Sequence, residues 1–245
     1  MRFTSEQRLD DGVLEREFTL GDIPGILWTP ASASASAPAP LILLGHPGGL
    51  HRMYPRLVAR ARHAAAEGFA AATIELPGAG DRPRSAAAEQ ARADLHRALA
   101  AGEPVDSEIV DRLVLPLVEK AVPEWRGALD ALLSLPEIGG PVGYAGGVIA
   151  IGVRLAVVEP RISAALLFAG SFVPRTMFDE ARQVTIPLLV LLQWDDEGND
   201  RQLALDLFDA FGSTEKTLHA NMGGHTGVPQ FEGDDGNGFF ARHLT

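Results

Sequence analysis

Four short runs of the chain are apolar at nearly every position: Leu41-Ile42-Leu43-Leu44 and residues 69–74, 164–168 and 187–192. Runs of this length without alternation fit strands buried on both faces. Longer stretches of helical pattern lie between them. Residues 54–67 are rich in alanine and arginine, and Gly68 fits the stop of a helix there. Residues 85–135 predict a long helical region, broken at Gly102-Glu103-Pro104 and again near Pro116 and Pro123. Pro141-Val142-Gly143-Tyr144 reads as the end of a further strand, and residues 146–153 as the opening of a helix. A helix over residues 201–211, a strand over 216–219 and a final helix over 239–243 complete the pattern. Apolar strands alternating with helices predict an α/β fold, with a largely parallel sheet and helices on both faces. Ahead of this alternation, residues 14–20 and 25–29 predict a hairpin around Gly21-Asp22. The Ala/Ser/Pro run over residues 31–40 cannot build a core and reads as a mobile surface connection, not a domain linker. With no internal repeat, one domain over residues 1–245 is the simplest organisation.

Between the strand ending at Tyr144 and the helix after it stands Gly143-Tyr144-Ala145-Gly146-Gly147. The pattern G-x-S-x-G at such a junction exposes a nucleophilic serine above a sheet. Its frame is present here, but the central position is Ala145, which has no nucleophilic atom. Either the alanine is a deliberate replacement that silences an enzyme, or the chain is a natural relative that lost its chemistry.

Acyl transfer also needs a base, a carboxylate to orient it and donors for the developing oxyanion. The chain order should be nucleophile, acid, histidine. Gln193-Trp194-Asp195-Asp196-Glu197 follows the strand over 187–192. Asp196 is the preferred acid and Asp195 the second choice; the alternative role for these acids is to cap the helix near Arg201. The base is His225, in the loop Asn221-Met222-Gly223-Gly224-His225-Thr226-Gly227, whose glycines permit a tight turn. His63, His96, His219 and His243 read as structural or exposed. One oxyanion amide is expected from Gly146 and the other from Gly48, in Gly45-His46-Pro47-Gly48-Gly49-Leu50, with Gly49 behind it. Pro47 has no N–H to give. His46 reads as shaping this loop. Glu75-Leu76-Pro77-Gly78-Ala79-Gly80-Asp81-Arg82-Pro83 turns sharply after a buried strand, a structural role near the pocket mouth.

With these motifs in this order, the chain resembles the α/β-hydrolase superfamily in its esterase and dienelactone-hydrolase-like branches, over roughly residues 41–243. The resemblance implies an α/β-hydrolase fold of about eight mostly parallel strands, with a helical insertion before the nucleophile strand. It also implies hydrolysis of a small carboxylic ester without a cofactor, through a triad of which Asp196 and His225 are present. A dienelactone hydrolase proper would use cysteine, which is absent. A dehalogenase or epoxide hydrolase would place aspartate at 145.

The net charge of −11 argues against nucleic acid and anionic membranes as partners. The lack of cysteine excludes disulfides, thiolate catalysis and cysteine-ligated zinc. No stretch approaches the roughly 20 apolar residues of a membrane helix, and the first residues lack the apolar core of a signal peptide. A cytoplasmic protein is the expectation. The acidic, glycine-rich residues 232–238 do not match a calcium loop and read as a solvated turn before the last helix. His46 and His51 lack a third ligand, so no metal site is expected.

Leu50, Met53, Phe172, Met177, Phe178, Trp194 and Val228 are the expected pocket residues, and they imply a moderately apolar substrate. Residues 85–120 and 171–184 are the two candidate lids. Two other functions stay open: a non-catalytic small-ligand-binding protein on a hydrolase fold, and a hydrolase of a lactone, amide or carbon–carbon bond, which the same triad serves.

Overall fold

The computed structural model of the chain describes residues 1–244. Three antiparallel strands come first: β1 (Arg2–Arg8), β2 (Leu14–Leu20) and β3 (Ile23–Thr29). Leu20 pairs with Ile23 across Gly21-Asp22, and Gly21 takes the left-handed φ of 62° that a two-residue hairpin needs. This is the hairpin that the sequence predicts. The sequence does not predict β1, because all seven of its residues are exposed and no apolar pattern marks it.

The alternating part follows: β4 (Ala39–Gly45), α1 (Leu50–Ala66), β5 (Ala70–Ile74), α2 (Ala86–Ala101), α3 (Ser107–Leu133), β6 (Ile138–Gly146), α4 (Ile149–Val158), β7 (Ile162–Phe168), α5 (Met177–Ala181), β8 (Leu188–Gln193), α6 (Arg201–Ala210), β9 (Lys216–Asn221) and α7 (Phe231–His243). Among the described residues one nine-stranded sheet forms, in the order β1-β2-β3-β5-β4-β6-β7-β8-β9. From β5 to β9 every neighbouring pair is parallel. The chain leaves β4 toward β5 on one side and reaches β6 on the other. The order therefore reverses between β4 and β6, and a crevice at a sheet's carboxyl edge opens at such a point.

Both faces of the sheet are covered. The alternation of β4 sends Leu41 and Leu43 into one apolar cluster, with Trp125 and Leu129 of α3 and Ile149 and Val153 of α4. It sends Ile42 and Leu44 into another, with Leu57 and Ala61 of α1 and Phe239 and Phe240 of α7. Each fully buried side chain of this size contributes about 1.5–3 kcal/mol.

Three expectations need correction. α3 runs unbroken through Pro116 and Pro123. A proline inside a helix costs about 3 kcal/mol, but Val114, Val118, Val122, Trp125, Leu129 and Leu132 form one buried stripe along α3, and its burial outweighs two such losses. α7 begins at Phe231, so the acidic, glycine-rich segment is helix and not a solvated turn. Its glycine spares a collision, since a Cβ at Gly236 would lie 2.8 Å from Leu166 Cδ1, and the Glu232 carboxylate is buried. The surface run over 31–40 is shorter than expected: Ser34 and Ala37 form a tight bridge, and β4 has begun by Ala39.

Candidate active site

The carboxyl ends of β4, β6, β7 and β8 meet along one edge of the sheet. Beyond β8, Asp196 turns inward and its side chain is only 3% exposed. Its Oδ2 accepts a hydrogen bond of 2.7 Å from Nδ1 of His225, and its Oδ1 accepts one of 3.0 Å from the Gly198 amide. The His225 side chain is 53% exposed, and its Nε2 makes no hydrogen bond among the described residues. The imidazole stands edge-on to Phe168, the last residue of β7, at 5.7 Å between ring centres.

Asp195 acts on the backbone instead. It accepts from the amides of Gly223 and Gly224 at 2.9–3.1 Å and so holds the histidine loop down. These two amides hold its carboxyl below the usual aspartate range. Gln193 Nε2 adds a third tie, to the Gly224 carbonyl at 2.9 Å. Gly223 and Gly224 take φ of 132° and 65°, which side chains resist. The helix cap that was the alternative role for these acids is made by Asp200, which accepts from the Leu203 amide.

Ala145 does not stand at the turn. It lies inside β6, in register with Leu44 of β4 and Leu166 of β7, and its methyl is buried in the cluster under α1 and α7. Gly146 is the last strand residue, opposite Gly45. The chain reverses at Gly146 and Gly147, with φ of 74° and 75°, and α4 starts at Ile149 with Val148 as its N-cap residue. Gly147 and Val148 thus stand between strand and helix, with Val148 central in the frame Gly146-Gly147-Val148-Ile149-Ala150. Ala145 is therefore not at the strand-to-helix turn where it was expected, and Gly146 still belongs to the strand. Gly143 and Gly147 frame Ala145 as the motif asks, whereas the register centred on Val148 has Gly146 at its start and Ala150 in place of the closing glycine. Val148 sits at φ −76°, so the glycines make the reversal that a strained central residue makes in a nucleophile turn.

The loop after β4 packs directly on this turn. A Cβ at Gly147 would lie 2.8 Å from Gly45 Cα and 2.9 Å from the His46 nitrogen. His46 is buried, which pushes its pKa down. Its Nε2–H donates to the Ile74 carbonyl at 2.9 Å, leaving Nδ1 as an acceptor without a well-formed hydrogen bond. The buried Glu75 carboxylate accepts from the Leu50 amide at 3.0 and 3.2 Å and so caps the first turn of α1. Arg82 ties the following turn to Glu124 of α3.

Arg60 of α1 was missed by sequence reasoning. It donates to the Gly45 carbonyl at 3.1 Å and to the Ala145 carbonyl at 2.8 Å, clasping the ends of β4 and β6. Burial pushes its pKa down to about 10, so it keeps its charge at neutral pH. An arginine in a helix rich in alanine and arginine carries no signal of such a role.

The expected pocket residues divide. Met177 is fully buried in the core, where α5 packs. Leu50 is also buried, and Phe178 packs against the core. Met53 lies beside Gly48, and Trp194 and Val228 are largely exposed, with Arg201 over the Trp194 ring at 4.4 Å. Phe172 lines a cleft of about 510 Å³ between the segments after β7 and β8 and the α2–α3 connection. Leu99, Val105 and Asp111 line its other wall.

Solved structures share this fold. The chain is similar to a cold-adapted esterase from an Arctic intertidal metagenomic library, in its complex with PEG, at 28% identity and a TM-score of 0.77, over 100% of both chains. The chain has the α/β-hydrolase fold of this esterase. The zinc-bound form of the Arctic esterase aligns with this α/β-hydrolase at 26% identity and a TM-score of 0.73, again over 100% of both chains. The Pyrococcus furiosus esterase Pf2001 shares the fold alone, at 9% identity and a TM-score of 0.65, over 99% of this chain and 93% of its own. No protein-family model and no curated protein matches the sequence. Among the described residues, no helix is long and apolar enough to cross a membrane.

Proposed function

We propose that this α/β-hydrolase is built to bind and hydrolyse small carboxylic esters with His225 as base and Asp196 as its orienting acid. With Val148 at the turn, it holds an ester without forming an acyl-enzyme. The observation that carries this reading is the His225–Asp196 hydrogen bond of 2.7 Å, with Nε2 left free at the carboxyl edge of the sheet. The likeness to the Arctic esterase supports ester as the substrate class.

The chemistry assigned to each group follows from its place. A hydroxyl at position 148 would lie at the amino end of α4, where helix amides are unpaired and the dipole favours negative charge. His225 Nε2 would take its proton, and Asp196 would stabilise the imidazolium. The Ile149 amide and that of Gly48 are the proposed oxyanion donors. The cleft beside Phe172 is the proposed substrate site, and α2 with the start of α3 its cover. Without a nucleophile, binding and oxyanion stabilisation still leave acceleration on the order of 10³–10⁴ over water in a serine protease.

One observation favours a binding role in the chain as it stands. The frame departs from G-x-S-x-G at two positions, Val148 and Ala150, and a single deliberate replacement does not produce both. The test is Val148→Ser, alone and with Ala150→Gly, assayed for turnover and for equilibrium binding of short-chain esters. Turnover in either variant that is lost on adding His225→Ala supports the esterase reading. Folded variants that bind esters but do not turn them over support the binding reading.

A further inference from the structure

A second cluster of chemistry-bearing side chains lies away from His225, where β9 meets α7. We infer that His219, Glu232 and Asp235 form a site for a first-row divalent cation, with zinc the best match to the donors. His219 Nδ1 lies 2.8 Å from Glu232 Oε2 and 3.9 Å from Asp235 Oδ2, and the three donor atoms fall within 4.8 Å of one another. A four-coordinate zinc with bonds of about 2 Å keeps its ligand atoms roughly 3.3 Å apart. To meet that spacing the His219–Glu232 pair opens by about 0.5 Å and Asp235, which is half exposed, closes in by a similar amount.

Glu232 is already oriented for this role. Glu232 is buried, and its Oε1 accepts from Asn221 Nδ2 at 2.6 Å, which turns Oε2 toward His219. A hydrogen bond to the far oxygen of a ligating carboxylate is the usual outer support of a metal site. An imidazole with two carboxylates favours zinc-like ions over calcium or magnesium, which prefer oxygen alone. A cleft of about 300 Å³, lined also by Thr217, Asp234 and Arg242, opens over the group and gives room for water as the remaining ligand. The ion would take the place of the proton between Nδ1 and Oε2, with the imidazole proton carried on Nε2 instead.

The placement gives the site a consequence. His219 is on β9 and the carboxylates are on the first turns of α7, and the loop between them carries His225. A bound ion ties together the two ends of that loop. None of the residues assigned to ester chemistry takes part, so the cation site stands apart from that reading.

The test is calorimetric titration of zinc chloride into the chelator-treated full chain. One ion per chain is expected, with affinity weakened by about 10-fold or more in His219→Ala and in Asp235→Asn. His225→Ala and His63→Ala should bind as the parent does, and calcium or magnesium should not compete. Zinc should also raise the thermal midpoint of the parent and not that of Asp235→Asn, a half-exposed helix position whose change leaves packing intact. Absence of saturable binding, affinity in Asp235→Asn and His219→Ala equal to the parent's, or loss of binding in His225→Ala or His63→Ala would each overturn the assignment.

Discussion

His225 donates through Nδ1 to Asp196 Oδ2 at 2.7 Å, while the adjacent Asp195 holds the backbone of the same loop. Two neighbouring carboxylates thus share the work, Asp195 fixing the loop and Asp196 fixing the ring within it. In the Val148→Ser background, Asp196→Asn should lower kcat on the order of 10⁴-fold, as loss of the orienting acid does in a serine protease. Asp195→Ala should cost far less in kcat but make residues 222–227 exchange amide hydrogens faster. Equal losses in kcat for the two would contradict the division.

Arg60 supplies the next expectation. Arg60→Met keeps most of the volume but leaves the Gly45 and Ala145 carbonyls without their donors. Each unsatisfied buried acceptor costs about 1–3 kcal/mol. Urea denaturation should show a stability loss of that order, with the slope unchanged. A neutral substitution would mean that water replaces the guanidinium without cost.

Glu159 gives the molecule a pH signature. The Arg161 guanidinium beside it, helped by Arg126, holds its carboxyl at about 2. The folded pKa lies below the unfolded one, so this stabilisation is fully present above the ordinary glutamate range and is lost as pH falls toward about 2. Parent and Glu159→Gln should therefore differ most in thermal midpoint near neutral pH, and the gap should close through the acid range. A gap that does not change with pH would contradict the assignment.

Much of this is legible in the sequence, for physical reasons. Buried parallel strands are apolar throughout, so β4, β5, β7 and β8 announce themselves. His225 and the acids follow strand ends in a fixed order, which periodicity alone locates. β1 is silent because an exposed edge strand needs no apolar side chains. Pro116 and Pro123 mislead because local propensity is weighed against a stripe of burial that becomes visible only once α3 has docked. Residues 232–238 mislead because glycine there serves close packing of α7 on β7, not a turn. Sequence alone points to Ala145 because Gly143 and Gly147 flank it as the motif asks, and the strand that reads as ending at Tyr144 runs on to Gly146. Arg60 acts through backbone carbonyls, which have no sequence signature.

Val148 is the proposed reactive position, and Val148→Ser and Ala145→Ser, each also with Ala150→Gly, are compared side by side. Each variant is mixed with an excess of a short-chain p-nitrophenyl ester, and the first turnover and the mass of the intact protein are followed together. For Val148→Ser the expected result is a burst of nitrophenol and an acyl adduct on the serine introduced at position 148, both abolished by His225→Ala. Ala145→Ser should show neither, because a hydroxyl there is buried beneath the sheet among α1 and α7 side chains. An adduct on the serine introduced at position 145, or a folded Val148→Ser protein with no adduct beside an active Ala145→Ser, would contradict it.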